Sequence, residues 1–361
     1  MCAPARAAGP VILVLGAVLA WVLGPAAALA STGDAVVASS ASANGIAPRF
    51  GVAPPPDWVV DVEVPDTAGV SDDLLHDGIA DLLSDIQVRI GDGPEQRFSR
   101  YVSEVVEPSG VSSVGRIQIE FAATYQELEI HWIRLVRDGV VQERLDASDV
   151  RIIQQEEDLG LDLYYQNATA LVLLDDVRVG DRVDYAYSIV GANPIFGGRY
   201  VDWLHLEWWY PFGRIHNRIV APRDRTLYFE LHNTDEGPEI RPVPGHDDLV
   251  EHVFVRDDVE AVLSEDETPA DHSPLAAHQV SEFETWGEVA RWSAETFDHG
   301  GEPGDAVREL AAGIREQHET TEEQIISALR YVQDEVRYLG LEIGVNAYRP
   351  HRPALTLERR F

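Results

Sequence analysis

Gly180-Asp181-Arg182-Val183-Asp184-Tyr185-Ala186-Tyr187-Ser188-Ile189 is the stretch that decides the fold. Val183, Tyr185, Tyr187 and Ile189 alternate with Asp184, Ala186 and Ser188, the two-residue period of a strand with one face on a core, and Gly180-Asp181 supplies the turn ahead of it. Working outward, Ile117, Ile119 and Phe121 alternate with Gln118 and Glu120, and Leu128, Ile130 and Trp132 continue the pattern. Asp138-Gly139 ahead of Val140 and Val141 reads as a hairpin turn, so the sheet is expected to be antiparallel. Residues 204–210, 214–220, 227–231 and 251–255 add short alternating segments divided by Pro, Gly and Asn. Many short strands with regular turn signals predict an antiparallel β-sandwich, so the chain is mainly β. Only residues 58–83 are weak, with strand and helix potential mixed.

The chain turns helical near residue 280. Trp286, Val289, Ala290, Ser293 and Phe297 fall on one helical face, as do Val307, Leu310, Ala311 and Ile314. Thr320 with Glu323 makes a capping-box pair ahead of the stripe Ile325, Leu329, Val332 and Val336. The acidic, proline-bearing stretch 257–274 reads as a linker. The expected organisation is therefore a signal peptide at 1–30, a flexible Ala/Ser/Gly/Pro-rich linker at 31–57, a β-sandwich domain at 58–270 with its core over about 85–235, and helices at 271–361.

Residues 1–30 carry Arg6, the apolar run from Val11 to Leu23 and Ala28-Leu29-Ala30 before Ser31, the layout of a secretory signal peptide. Export to the periplasm or the extracellular space is the reading favoured. The alternative is an uncleaved inner-membrane anchor at 7–30, the one way this chain would meet a membrane. The only cysteine is Cys2, so the chain after the signal has neither a disulfide nor a thiol nucleophile.

The formal charge of −34, from 62 acidic against 28 basic side chains, excludes nucleic acid as a partner. Every basic residue is Arg, since the sequence contains no Lys. Such self-repulsion fits life at high salt, and high-GC coding bias accounts for the same composition equally well. Among 62 carboxylates, adjacent pairs such as Asp175-Asp176 and Glu156-Glu157 are expected by chance. His205 with Glu207, and His246 with His252, are the nearest approach to a metal cluster, but no pair has the spacing that sets two imidazoles on one helix face. No metal or other cofactor is therefore expected. Trp203, Trp208, Trp209 and Tyr210 suggest either a sugar- or peptide-binding platform or core packing, and their alternation favours the core; Trp286 and Trp292 are read as packing residues too. Asn167-Ala168-Thr169 matches a glycosylation acceptor and carries little weight.

Val177-Arg178-Val179-Gly180-Asp181-Arg182-Val183-Asp184-Tyr185-Ala186-Tyr187 resembles a strand of the domain of unknown function 3857, and Trp208-Trp209-Tyr210-Pro211 followed by residues 214–220 is similar to its continuation. The likeness covers residues 85–270. In that family a transglutaminase-like domain, a relative of the papain-like thiol enzymes, usually follows. Residues 281–292 resemble its first helix. Val336-Arg337-Tyr338, Gly340-Leu341-Glu342-Ile343-Gly344, Tyr348-Arg349-Pro350-His351-Arg352-Pro353 and Leu357-Glu358-Arg359-Arg360-Phe361 resemble its approach to a Gly-Asp-Cys nucleophile motif. The resemblance implies that the C-terminal helices begin an α+β transglutaminase-like domain acting on a protein or peptide substrate. It also implies that the catalytic Cys, His and Asp lie beyond Phe361, so none of the 361 residues is assigned a catalytic role. His351 precedes the expected cysteine, whereas the family's base follows it. The rival reading is a non-enzymatic exported binding or scaffolding module.

Overall fold

The computed structural model describes residues 48–65, 75–153, 167–263, 273–298, 303–338 and 347–360. The signal segment, Glu156-Glu157 and the stretch Gly340 to Gly344 lie outside the described residues. Two compact units result. One is β and runs to Glu282 apart from residues 193–197; the other is helical and combines residues 193–197 with those from Phe283 onward.

The β unit begins with β1 (Phe50–Val52), β2 (Leu75–His76), β3 (Ile79–Arg89), β4 (Gln96–Val105), a short helix α1 (Gly110–Val114), β5 (Arg116–Ala122), β6 (Glu127–Arg137) and β7 (Val140–Glu143). It continues through β8 (Arg151–Ile153), β9 (Asn167–Leu173), β10 (Arg182–Val190), β11 (Val201–His205) and β12 (Phe212–Pro222). It ends with β13 (Tyr228–His232), β14 (Glu239–Val243), β15 (His246–Val259) and β16 (Ala277–Ser281). Among the described residues these make a ten-stranded sheet, ordered β1-β6-β10-β4-β3-β12-β15-β14 with β2 and β7 at its side, and two three-stranded sheets, β5-β9-β8 and β11-β16-β13.

Strand β10 behaves as its alternation requires. Val183, Tyr185 and Tyr187 join Tyr101 and Val105 of β4 and Ile130 and Ile133 of β6 against Ile117, Ile119 and Phe121 of β5 and Ala168, Ala170 and Val172 of β9. A second core places Val88 and Ile219 of the large sheet against Leu204 and Val280 of β11 and β16. Cross-strand partners share a face, as do residues two apart. Tyr185 pairs with Tyr101, Tyr101 with Ser84, and Val88, four residues on from Ser84, with Ile219. Both cores therefore lie on one face of the large sheet, with a small sheet over each half.

Several expectations are corrected. Two pairings are parallel, β1 with β6 and β3 with β12, because these strands are brought together by long crossovers that local turn signals do not announce. The lead read as flexible to residue 57 already holds strand β1. Asp257 to Val259, read as linker, completes β15, and β16, past the expected boundary at 270, is the middle strand of its sheet. Trp132 does not share the face of Ile130: the register shifts so that His131 is bulged out, and Ile133 returns to the core while Trp132 turns away. The weak stretch before residue 83 contains the start of β3, whose period is broken by a bulge between Asp81 and Leu83. Gly213 accommodates that bulge, since a Cβ there would stand 2.8 Å from the Leu82 carbonyl oxygen. At the hairpin, Asp138 and Gly139 both take positive φ, 51° and 75°, as the expected two-residue turn demands.

The helical unit holds α2 (Trp286–Phe297), α3 (Asp305–Gln317), α4 (Thr321–Glu335) and α5 (Pro353–Arg359). The capping box of α4 is formed, Thr320 accepting from the Glu323 amide while the Glu323 carboxylate accepts from the Thr320 amide. Trp292 is a packing residue: it donates to the Ile195 carbonyl at 2.8 Å and lies within 6 Å of the Phe196, Phe283 and Tyr348 rings. Trp286 is not, being 69 % exposed at the start of α2. The stripe of α4 is expressed as a face that no described residue covers, with Ile325, Leu329 and Val332 between 51 and 62 % exposed. No described helix is long and apolar enough to cross a membrane.

Candidate functional site

The face of the large sheet turned away from the two apolar cores carries charge instead. Asp184 on β10, Arg100 on β4, Asp85 on β3, His216 and Arg218 on β12 and Glu251 on β15 are all buried. Arg100 forks onto Asp184 through Nε at 3.0 Å and Nη2 at 2.8 Å, and Trp132 Nε1 donates to the same carboxylate at 2.8 Å. Asp85 pairs with His216 Nδ1 at 2.7 Å, and Arg218 Nε donates to Glu251 at 2.6 Å. Burial alone would raise the Glu251 carboxyl, but its bonds from Arg241 and Arg218 hold it below its ordinary range.

These charges are satisfied by a strap of backbone. Arg100 donates to Asp61 and to the Val62 carbonyl, both at 3.0 Å, and Arg218 to the Trp58 carbonyl at 2.8 Å. Gln87 both accepts from the Val60 amide, at 3.0 Å, and donates to the Val60 carbonyl, at 2.7 Å. Val62 then packs on Ala80, Leu82, Leu83 and Val102. Asp85 and His216 have the geometry of a carboxylate orienting a base, yet among the described residues no hydroxyl or thiol is bonded to His216, so the pair has no nucleophile to activate. The row holds residues 58–62 in place and is a scaffold.

Among the described carboxyl groups of the β unit, Glu95 and Asp81 are raised furthest. Burial pushes Glu95 up to about 7, aided by the neighbouring Asp202 carboxylate. Beside it Arg97 pairs with Asp202, which also accepts from the Tyr200 hydroxyl at 2.7 Å, and Arg225 Nε donates to Glu282 at 2.7 Å. Asp81, enclosed near the bulge of β3, is pushed up to about 6 by burial, against the Ser103 hydroxyl that donates to it at 2.6 Å. Neither stands in a nucleophile and base constellation.

The pairs noted in the sequence are dispersed. Asp176 sits in an exposed turn, where bonds from Arg178 and then Arg137 keep its carboxyl below the usual range. Glu207 accepts from Arg256 at 2.8 Å and from the Ala276 amide at 3.1 Å, so it is engaged away from His205. His252 is buried on Phe229, with ring centroids 5.2 Å apart, while His246 is exposed on the same strand. No group of three potential ligands that could hold a metal is found among the described residues.

The aromatics at 203–210 divide: Trp208 and Tyr210 pack on the buried Phe212, Ile215 and Val259, as the core reading expects, whereas Trp203 departs from it. Leu204 takes the inward position on β11, so Trp203 and His205 point to the outer face. Trp203 lies 4.4 Å from the His232 ring and 6.4 Å from His205; His205 is 4.6 Å from Trp208, and Trp208 6.2 Å from Tyr210. These rings are half-buried and lie against one another, Trp208 and Tyr210 packing also on the Phe212, Ile215 and Val259 cluster, with Trp209 46 % exposed. Glu95, Asp81 and the Asp85–His216 row were not identified from the sequence, because each is a polar residue whose burial depends on strands distant in the chain.

Residues 91–262 match the Domain of Unknown Function with solved-structure structure (DUF3857). A search of the curated proteins found no match. Among solved structures, a "putative protease" from Parabacteroides distasonis shares 14 % identity at a TM-score of 0.64, over 78 % of this chain and 55 % of its own. The chain thus spans about half the length of that protein and shares its fold. Legionella pneumophila aminopeptidase A matches at 11 % identity and a TM-score of 0.33, over 61 % of this chain and 23 % of its own. An M1 zinc metallopeptidase from Deinococcus radiodurans matches at 12 % and 0.30, over 56 % and 42 %. Both fall well short of a shared fold.

Proposed function

We propose that this chain is the exported N-terminal portion of a transglutaminase-like protein, a β module followed by the first helices of a thiol-enzyme domain. In this reading the parent is a Cys-His-Asp enzyme acting on amide bonds of proteins or peptides, and residues 1–361 supply no catalytic group. The thiolate would attack the amide carbonyl, the His would pass the thiol's proton to the departing amine, and water or another amine would then take the acyl group. Hydrolysis and transfer share that nucleophile, and the reading covers both.

The observation that carries the proposal is the uncovered apolar face of α4, where Ile325, Leu329 and Val332 are regularly spaced and more than half exposed. A contiguous stripe of that kind calls for a covering element. The length of the Parabacteroides protein, of which this chain matches 55 %, is consistent with such an element. The test is to read the gene for about three hundred codons past Phe361, the span of one or two further domains, and to probe the extended product with an iodoacetamide label. An open frame resuming with Gly-Asp-Cys and a singly labelled, activated cysteine is expected. A stop codon with no such frame would overturn the enzyme reading and leave the binding module.

A further inference from the structure

We propose that the outer face of the β11-β16-β13 sheet, with the run of rings leading off it, binds an uncharged polysaccharide strand. This inference does not depend on the transglutaminase-like reading, since every residue it uses lies in the β unit.

Register fixes the composition of that face. Leu204, Val280 and Phe229 turn inward to the core, so their neighbours Trp203 on β11, Gln279 on β16 and Tyr228, Glu230 and His232 on β13 turn outward. Trp203 stands opposite Gln279, which stands opposite Glu230, one row across three strands. None of the five is buried, and Tyr228 and Glu230 are exposed. The face is thus a set of aromatic plates alternating with amide and carboxylate groups. Gln279 Oε1 is within 3.1 Å of His232 Nε2, which fixes the orientation of the amide.

A chain of rings continues beyond the sheet, its members Trp208 and Tyr210 seated on the buried Phe212, Ile215 and Val259 and presenting only their outer parts. From His232 through Trp203, His205, Trp208 and Tyr210 to His76, consecutive ring centroids are between 4.4 and 6.4 Å apart. A ring presents an apolar body with a polar tip, which suits a ligand having C–H faces and hydroxyl edges in regular repeat, and a sugar chain has both. Amide and carboxylate side chains accept and donate to such hydroxyls. A linear ligand is implied because the run is one ring wide and many rings long.

Charge selects among linear ligands. The chain carries a formal charge of −34 and the five face residues include a carboxylate and no Arg, so nucleic acids and anionic polysaccharides are repelled. Extended peptides are captured by unpaired backbone groups at a sheet edge or, when proline-rich, in aromatic-lined grooves, whereas this surface is a sheet face on which rings alternate with an amide and a carboxylate that suit hydroxyl groups. An uncharged glycan remains as the occupant that fits.

The test is affinity electrophoresis and calorimetry of the 361-residue chain against soluble β-1,3-glucan, xylan, galactomannan and chito-oligosaccharides, with alginate and an extended Gly/Ser/Ala peptide as controls. Retardation by at least one uncharged glycan and by neither control is expected. Trp203→Ala is expected to weaken that binding about tenfold, the effect of losing one aromatic contact. Tyr228→Ala with Glu230→Ala, both at exposed positions, is expected to weaken it several-fold while the circular dichroism spectrum stays unchanged, which keeps the test valid if Trp203→Ala does not fold. Binding of the peptide alone, no binding by any glycan, or glycan binding indifferent to the Tyr228/Glu230 pair would each overturn the proposal.

Discussion

Replacing Glu95 by Gln should remove a defined part of the pH dependence of stability. In the folded chain burial and the Asp202 carboxylate keep Glu95 protonated to about pH 7, whereas in the unfolded chain it ionises near its ordinary 4.5. Between those values the unfolded chain has released a proton that the folded chain still holds, so stability falls as pH rises. The stabilising contribution is complete below the lower value and lost above the upper one. For a fully enclosed group the interval corresponds to about 3 kcal/mol. Glu95 is half-buried, and screening by solvent reduces this to about 1 to 2 kcal/mol. Glutamine has the shape of the neutral acid and no proton to lose. Urea midpoints measured at pH 4 and pH 8 should therefore agree for the two proteins at the lower pH, with the variant more stable by about 1 to 2 kcal/mol at the higher. Asp81, pushed up to about 6, contributes a slope of the same sign to both proteins and cancels in the comparison. Parallel stability curves for wild type and Glu95→Gln from pH 4 to pH 8 would refute the argument.

Arg218→Met should cost about 3 to 5 kcal/mol, because it strips a partner from buried Glu251 and from the Trp58 carbonyl; hydrogen exchange should accelerate first at residues 58–62, and unchanged protection there would show that the strap does not depend on the row. Gly213→Ala should cost about 1 to 3 kcal/mol by forcing its Cβ against the Leu82 carbonyl, read as a lower melting temperature. Leu329→Glu, at a position 55 % exposed, should leave the unfolding free energy of the 361-residue chain within about 0.5 kcal/mol of wild type while reducing its aggregation, and should destabilise any longer chain in which that face is covered.

What could be read in the sequence was whatever is local. Alternation at Val183 to Ile189, the Asp138-Gly139 turn and the Thr320/Glu323 capping box each state their structure within a few residues, and the fold has all three. The failures share a cause. At β3 the inward and outward faces are both buried, one in a core and one under the strap, so polar Asp85 and Gln87 interrupt the apolar pattern without marking a surface. At β6 one inserted residue, His131, reverses the phase halfway along the strand. Trp203 follows the alternation of β11, but which of that strand's two faces meets the core is decided by the distant strands β3 and β12.

The excess of carboxylates gives a last consequence, and its sign depends on where the charges sit. Added salt weakens exposed pairs such as Arg214–Asp257 and Arg308–Asp305, each worth about 0 to 1 kcal/mol, and leaves enclosed pairs such as Arg218–Glu251 nearly unchanged. It also screens repulsion among acidic groups that outnumber the basic ones 62 to 28. Raising ionic strength from about 0.01 to about 1 M shortens the screening length from about 30 Å to about 3 Å, which removes the long-range repulsion while the buried pairs persist. The melting temperature should therefore rise with sodium chloride over that range. A flat or falling curve would mean that the exposed pairs outweigh the net repulsion, and that the Arg-rich, Lys-free composition reflects coding bias and no adaptation to salt.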